Sequence, residues 1–149
     1  MTIERSEALA HIEEIKQLKA RYIRFGDTQD WEGLAQILTE DFEAVFDAAP
    51  RFAKDQPSNV AIAGRDIFIQ TFAHALVGVV TVHQVFMPEI KLTGTTTATG
   101  IWGLHTYAKM PGCIFQGWSH YHDEYRREDD IWKVRRSETR CLRSEETWL

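Results

Sequence analysis

The sequence predicts an α+β fold in which three N-terminal helices pack on a curved, mainly antiparallel sheet, a cone-shaped α+β barrel. Three observations carry this reading. Apolar residues recur every three or four positions as far as Gly78, and from Val80 onward they alternate. The alternating region is divided by Thr93-Gly94, by Met110-Pro111-Gly112 and by Glu128-Asp129-Asp130, all turn-forming groups. A run of helices followed by a run of hairpin strands segregates the helices to one face of an antiparallel sheet. The 149 residues are the size of one ordinary domain, read here as a single unit from 1 to 149.

The first helix follows from Leu9, Ile12, Ile15, Leu18, Tyr22 and Phe25, with Glu13, Glu14, Lys16, Lys19 and Arg24 on the other faces. Gly26 can end it. Tyr22 lies on the apolar stripe, where a phenol needs a partner for its hydroxyl. A second, short helix runs from Asp30 to Leu38 and packs through Trp31, Leu34, Ala35, Ile37 and Leu38. Acids at Asp27, Asp30 and Glu32 suit a helix N-terminus, where free N–H groups and the macrodipole favour negative charge. Of these, Asp30 is the better cap. Phe42, Ala44 and Phe46 alternate as a brief strand, and Pro50 and Pro57 mark a loop. Gly64-Arg65-Asp66 opens a third helix with Ile67, Phe68, Thr71, Phe72, Ala75 and Leu76 inward and His74 on the surface.

Four long strands follow, roughly Val80 to Leu92, Thr96 to Lys109, Ile114 to Arg127 and Ile131 to Leu142, joined as a meander. In the first, Val79, Thr81, His83, Val85 and Met87 share a face opposite Val80, Val82, Gln84 and Phe86. Both faces are partly apolar, so the sheet is expected to be covered twice, by the helices and by a partner subunit. In the third, Gly117, Ser119, Tyr121, Asp123 and Tyr125 face away from Trp118, His120, His122 and Glu124. His120 and His122, with Asp123 and Glu124 close by, could chelate from one strand face, but a catalytic zinc site wants a third protein ligand that His105 on the neighbouring strand would have to supply, so no metal is assigned.

Composition removes several function classes. A net charge of −5 without a basic cluster argues against nucleic acid. The longest apolar run, near Ala75 to Val80, is far shorter than a membrane span. Acids near the N-terminus do not resemble a secretory signal, and Cys113 and Cys141 lack metal spacing, which fits free thiols in a cytoplasmic protein. No phosphate-cradling glycine loop or nucleophile motif is present, so no cofactor is expected.

An aspartate at the break after the first helix, Gly-Arg-Asp opening the third, His83 in Val-Thr-Val-His-Gln and the ending Asp-Glu-Tyr-Arg-Arg-Glu-Asp-Asp-Ile-Trp-Lys-Val together resemble the SnoaL-like, scytalone-dehydratase-like branch of the nuclear transport factor 2 superfamily. The resemblance spans almost the whole chain. Scytalone dehydratase, hexachlorocyclohexane dehydrochlorinase and bile-acid 7α-dehydratase in that branch use an aspartate–histidine dyad, and those positions fall on Asp27 and His83. The bile-acid enzyme's tyrosine falls on Tyr22. The scytalone enzyme's second pocket histidine falls on Trp102, and its pocket serine and asparagine on Ser119 and Tyr121. The resemblance thus implies the dyad but a different substrate pocket. Its eliminating members are commonly trimers, which favours a homotrimer over a dimer.

The chemistry can also be argued from the residues. Imidazole is a general base available at neutral pH, and a neighbouring carboxylate sets its tautomer and stabilises the imidazolium. That pair suits proton abstraction beside a carbonyl, leading to elimination, isomerisation or cyclisation. His83 is assigned as base and Asp27 as its orienting partner, with Tyr22 and Tyr121 as donors to a carbonyl or leaving group. Trp102, Ser119, Phe46 and Phe68 are assigned to the substrate pocket, whose lining favours a small uncharged cyclic or aromatic substrate. The expected function is a cofactor-independent lyase of the dehydratase type. The alternatives are a ketosteroid-isomerase-like isomerase or polyketide cyclase, and a non-catalytic ligand-binding or oligomer module.

Overall fold

In a computed structural model that describes residues 3–149, the chain begins with helix α1, Arg5–Asp27, whose 23 residues extend about 35 Å. Its buried side chains are His11, Ile15, Leu18, Lys19 and Tyr22. Lys19, expected on a polar face, is wholly buried. It follows Ile15 by four residues and so shares its face, which the side chain's charge obscures in the sequence. Leu9, expected on the stripe, is 58% exposed. It lies six residues before Ile15 and therefore points elsewhere.

Gly26 does not end α1, which continues through Asp27. Helix α2, Trp31–Gln36, is shorter than expected, because Leu38 already belongs to a strand. Asp30 caps it by accepting a hydrogen bond from the Gly33 N–H at 2.9 Å. Asp30→Ala is expected to cost about 1 kcal/mol of stability in a denaturant titration while leaving ligand binding unchanged. An equal loss of binding would mean that the α2 start is coupled to the cavity.

Strand β1, Leu38–Phe46, is longer than the sequence suggested. Strand β2, Val60–Ala63, was expected to be loop. Four residues after a proline are too few to show a period, and their strand identity comes from antiparallel pairing with β1. Helix α3, Arg65–Ala75, follows Gly64, which adopts φ 102. Phe68 is its buried anchor, stacked edgewise on Phe42 at 5.0 Å between ring centroids. Ile67, expected to be inward, is 59% exposed.

The meander comprises β3, Val80–Leu92; β4, Thr97–Met110; β5, Cys113–Glu128; and β6, Ile131–Trp148. The last strand runs beyond the expected Leu142. Asp129 and Asp130, at φ 50 and 63, form the two-residue link between Glu128 and Ile131, with both residues left-handed as a type I′ turn requires. The six-stranded sheet has the order β2-β1-β6-β5-β4-β3. It is antiparallel except where β1 lies parallel to β6. The fold is thus the expected α+β cone with helical cover, and its sheet does not close.

In β3 the register shifts between Phe86 and Glu89, and Met87 adopts φ 49. The bulge reverses the side-chain alternation. Thr81, His83 and Val85 are half-buried, whereas Met87, expected on the same face, is 84% exposed. The opposite face keeps Val80, Val82 and Phe86 exposed as an apolar outer surface. On that surface the Phe86 ring lies over Gly103, where an added Cβ would come within 2.4 Å of it.

The main core joins Ile15, Leu18, Leu34, Leu38, Phe42, Phe68, Trp132 and Val134 between helices and sheet. A smaller cluster at the other end joins Val79, Ala108, Met110, Cys113 and Phe115. Cys113 and Cys141 are not bonded to each other. Among the described residues no helix is long and apolar enough to cross a membrane.

Candidate active site

Asp27 ends α1 beside β3, and its carboxylate gathers three donors from that strand. The His83 backbone N–H donates to Oδ2 at 2.8 Å, the Thr81 hydroxyl donates to Oδ1 at 3.0 Å, and His83 Nδ1 lies 2.6 Å from Oδ1. Because the carboxylate can only accept, neutral His83 carries its proton on Nδ1 and keeps a lone pair on Nε2. Thr81 and His83 share a strand face, so the two side-chain contacts follow from the pleat. Gln29 holds the register between the two elements. It adopts φ 57 just after the helix, and its amide donates to the carbonyls of Leu76 and Val79 at 2.8 and 3.1 Å, on the approach to β3.

His83 lines a cavity of about 250 Å³ between the helices and the concave face of the sheet. Tyr22, Tyr121, Ser119, Phe46 and Phe68 line it too. Trp102 does not. It packs behind Tyr121 and Leu104, and its indole N–H donates to the Tyr125 hydroxyl at 2.9 Å. It is buried in a core cluster with those two residues, against which Ile23, Val85 and Ile90 also pack.

Beneath the cavity lies a buried polar network that sequence reasoning missed. Asp123 accepts from the hydroxyls of Tyr125 at 2.7 Å and Ser137 at 2.8 Å. Lys19 Nζ approaches its Oδ2 to 2.8 Å, at ion-pair distance but off the direction of a hydrogen bond. Both side chains are fully buried. The ammonium also sits 3.6 Å from the Tyr121 ring centroid and 4.3 Å from that of Tyr22. The two rings meet edge to face at 6.4 Å. Burial pushes the Lys19 amine down from its usual value, against the pull of Asp123. Burial, with the negative charge of Asp123 added, holds the Tyr22 phenol well above its usual value, and burial with its anionic neighbours does the same to Tyr121. Both phenols are therefore proton-bearing donors at neutral pH. The only available signal for this network was the inward parity that Asp123 shares with Tyr121 and Tyr125.

His120 and His122 lie on the other face of β5. Burial and then Arg140 push the His122 imidazole down. His105 is engaged with Gln116 at 3.2 Å and with the Trp118 ring at 5.4 Å. Among the described residues no group of three metal-binding side chains assembles.

A half-open helix-covered cone with a polar end to an otherwise apolar cavity is a fold of the nuclear transport factor 2 type. Residues 7–138 match the family model of the SnoaL-like domain, and the chain belongs to that family. Solved structures agree on the fold. A candidate scytalone dehydratase from Novosphingobium aromaticivorans is 22% identical over 93% of this chain and 88% of its own, with a TM-score of 0.74. The hexachlorocyclohexane dehydrochlorinase LinA-type3 from Novosphingobium barchaimii is 16% identical over 95% and 92%, with a TM-score of 0.73. A protein of unknown function from Mycobacterium tuberculosis is 26% identical over 93% and 75%, with a TM-score of 0.73. No curated protein sequence matches the chain significantly.

Proposed function

We propose that this protein is a cofactor-independent lyase that eliminates water or a comparable leaving group from a small cyclic or aromatic carbonyl compound. The observation that carries the reading is the 2.6 Å contact between His83 and Asp27 at the wall of a largely apolar cavity. In this reading Nε2 of His83 takes the proton from the carbon beside the carbonyl, and Asp27 stabilises the imidazolium. The C–H electron pair moves into an enolate whose oxygen is received by the Tyr121 and Tyr22 hydroxyls. The enolate reforms the carbonyl, makes the new carbon–carbon double bond and expels the leaving group with its bonding pair. For hydroxide, the imidazolium returns its proton and water departs.

Phe46, Phe68 and Phe72 give the cavity flat apolar walls suited to a ring, and Ser119 adds one polar contact. The test is a screen of cyclic β-hydroxy ketones with detection by mass. Loss of water that disappears in His83→Ala supports the reading, and turnover that survives the substitution refutes it. A product of unchanged mass would place the chemistry with isomerases that use the same pair.

The outer sheet surface supports a homo-oligomer, and the family resemblance favours a trimer. Val80, Val82, Phe86 and Ile101 form an exposed apolar patch across β3 and β4, where charged side chains would otherwise protect an edge. Light scattering on the purified protein is expected to give a multiple of the 17.2 kDa chain mass, and Phe86→Asp is expected to lower it. A monomeric wild-type protein would rule this out.

A further inference from the structure

We infer that Lys19 is a positioning residue that makes the tyrosine floor of the cavity an anion-receiving surface, so that the site takes the ionised oxygen of a phenol-like or enolate-like ligand. The inference deepens the lyase reading, since the oxygen received would be that of the enolate, but its test does not depend on turnover.

The geometry is specific. Lys19 Nζ lies at cation–π distance from the two tyrosine rings that line the cavity. A cation at a ring face attracts that ring more strongly as electron density shifts onto it. A phenol donating its proton toward an anionic oxygen becomes more phenolate-like and gains from such a neighbour. Among the described residues the Tyr121 hydroxyl makes no hydrogen bond within the protein, so it remains available to a ligand.

Asp123 acts in the opposite sense on the same rings. Its carboxylate, however, also accepts from Tyr125 and Ser137 and holds the ammonium at 2.8 Å. The ammonium of the pair lies against the faces of both tyrosine rings. A buried ion pair is a poor way to add stability, because desolvation offsets the attraction and apolar residues of similar size serve as well. Its location under two cavity-lining phenols gives it a use that packing does not.

The probe is p-nitrophenol, an aromatic acid of suitable size whose ionisation is read from its visible absorbance. Its titration is measured bound to the His83→Gln protein, so that proton transfer to the imidazole does not stand in for Lys19. The bound ligand is expected to ionise about one pH unit lower than when bound to Lys19→Met/His83→Gln. If Lys19→Met fails to fold because Asp123 is left unpaired, Lys19→Met/Asp123→Asn on the same background removes both charges and is expected to lose the same shift. Equal ionisation with and without Lys19 overturns the inference, as does failure of the folded His83→Gln protein to bind the probe. Turnover surviving His83→Ala would sink the lyase reading and leave this titration standing, whereas a failed titration leaves the dyad untouched.

Discussion

His83→Ala is expected to lower turnover by about 10²–10⁴-fold, the usual contribution of a positioned general base, or about 3–5 kcal/mol of barrier. The loss should fall on kcat more than on KM, because the imidazole acts on the proton in flight and much of the binding surface is aromatic. The fold should survive, since the side chain is about a quarter exposed and lies at the cavity wall. Far-ultraviolet circular dichroism and a thermal melt separate this outcome from unfolding. Asp27→Asn provides the companion result. The amide has one acceptor oxygen where the carboxylate has two, so it can keep the contact from the His83 backbone or the one from Thr81 but not both, and it no longer stabilises a positive imidazolium, so a loss of about 10²-fold is expected. If Asp27→Asn were as active as the wild type, the carboxylate would be a helix-end anchor for β3 and nothing more.

The largest effect on stability is expected from Lys19→Met. Methionine roughly fills the side-chain volume but leaves the Asp123 carboxylate buried without its cation. Breaking a buried pair in this way costs about 3–5 kcal/mol. The denaturation midpoint should fall accordingly at neutral pH. Lys19→Met/Asp123→Asn should recover much of the loss, because it leaves no unpaired charge, although the amide offers one acceptor oxygen in place of two, so one of the Tyr125 and Ser137 hydroxyls must turn to accept from its NH2 group. A single substitution no more harmful than the double one would mean that the pair is not coupled, and the measured interaction energy decides between them.

Parts of this site were legible because their chemistry is written over a few residues. Asp30 caps α2 as its position before Trp31 suggested, and the side-chain alternation of β5 carries Ser119, Tyr121, Asp123 and Tyr125 inward together. Other parts were hidden by residue type or by a local irregularity. Lysine is usually a surface residue, so its charge masks its place on the Ile15 face of α1. The β3 bulge sends Met87 outward, and nothing in Phe86-Met87-Pro88 announces how many residues the bulge absorbs. Trp102 was placed in the cavity by resemblance, whereas its indole N–H is spent on Tyr125.

The helix-then-meander order, the tight turns and the sorting of side chains to two sheet faces are local properties of the sequence. These depend on periods and backbone preferences that act within a few residues. Long-range packing alone sets β1 parallel to β6, makes Val60–Ala63 an edge strand and brings Lys19 to Asp123. The contact between Asp27 and His83 spans 56 residues of chain. No local pattern encodes that distance. It follows from the packing of α1 across the sheet, from Gln29 holding the helix end to the approach of β3, and from three donors converging on one carboxylate.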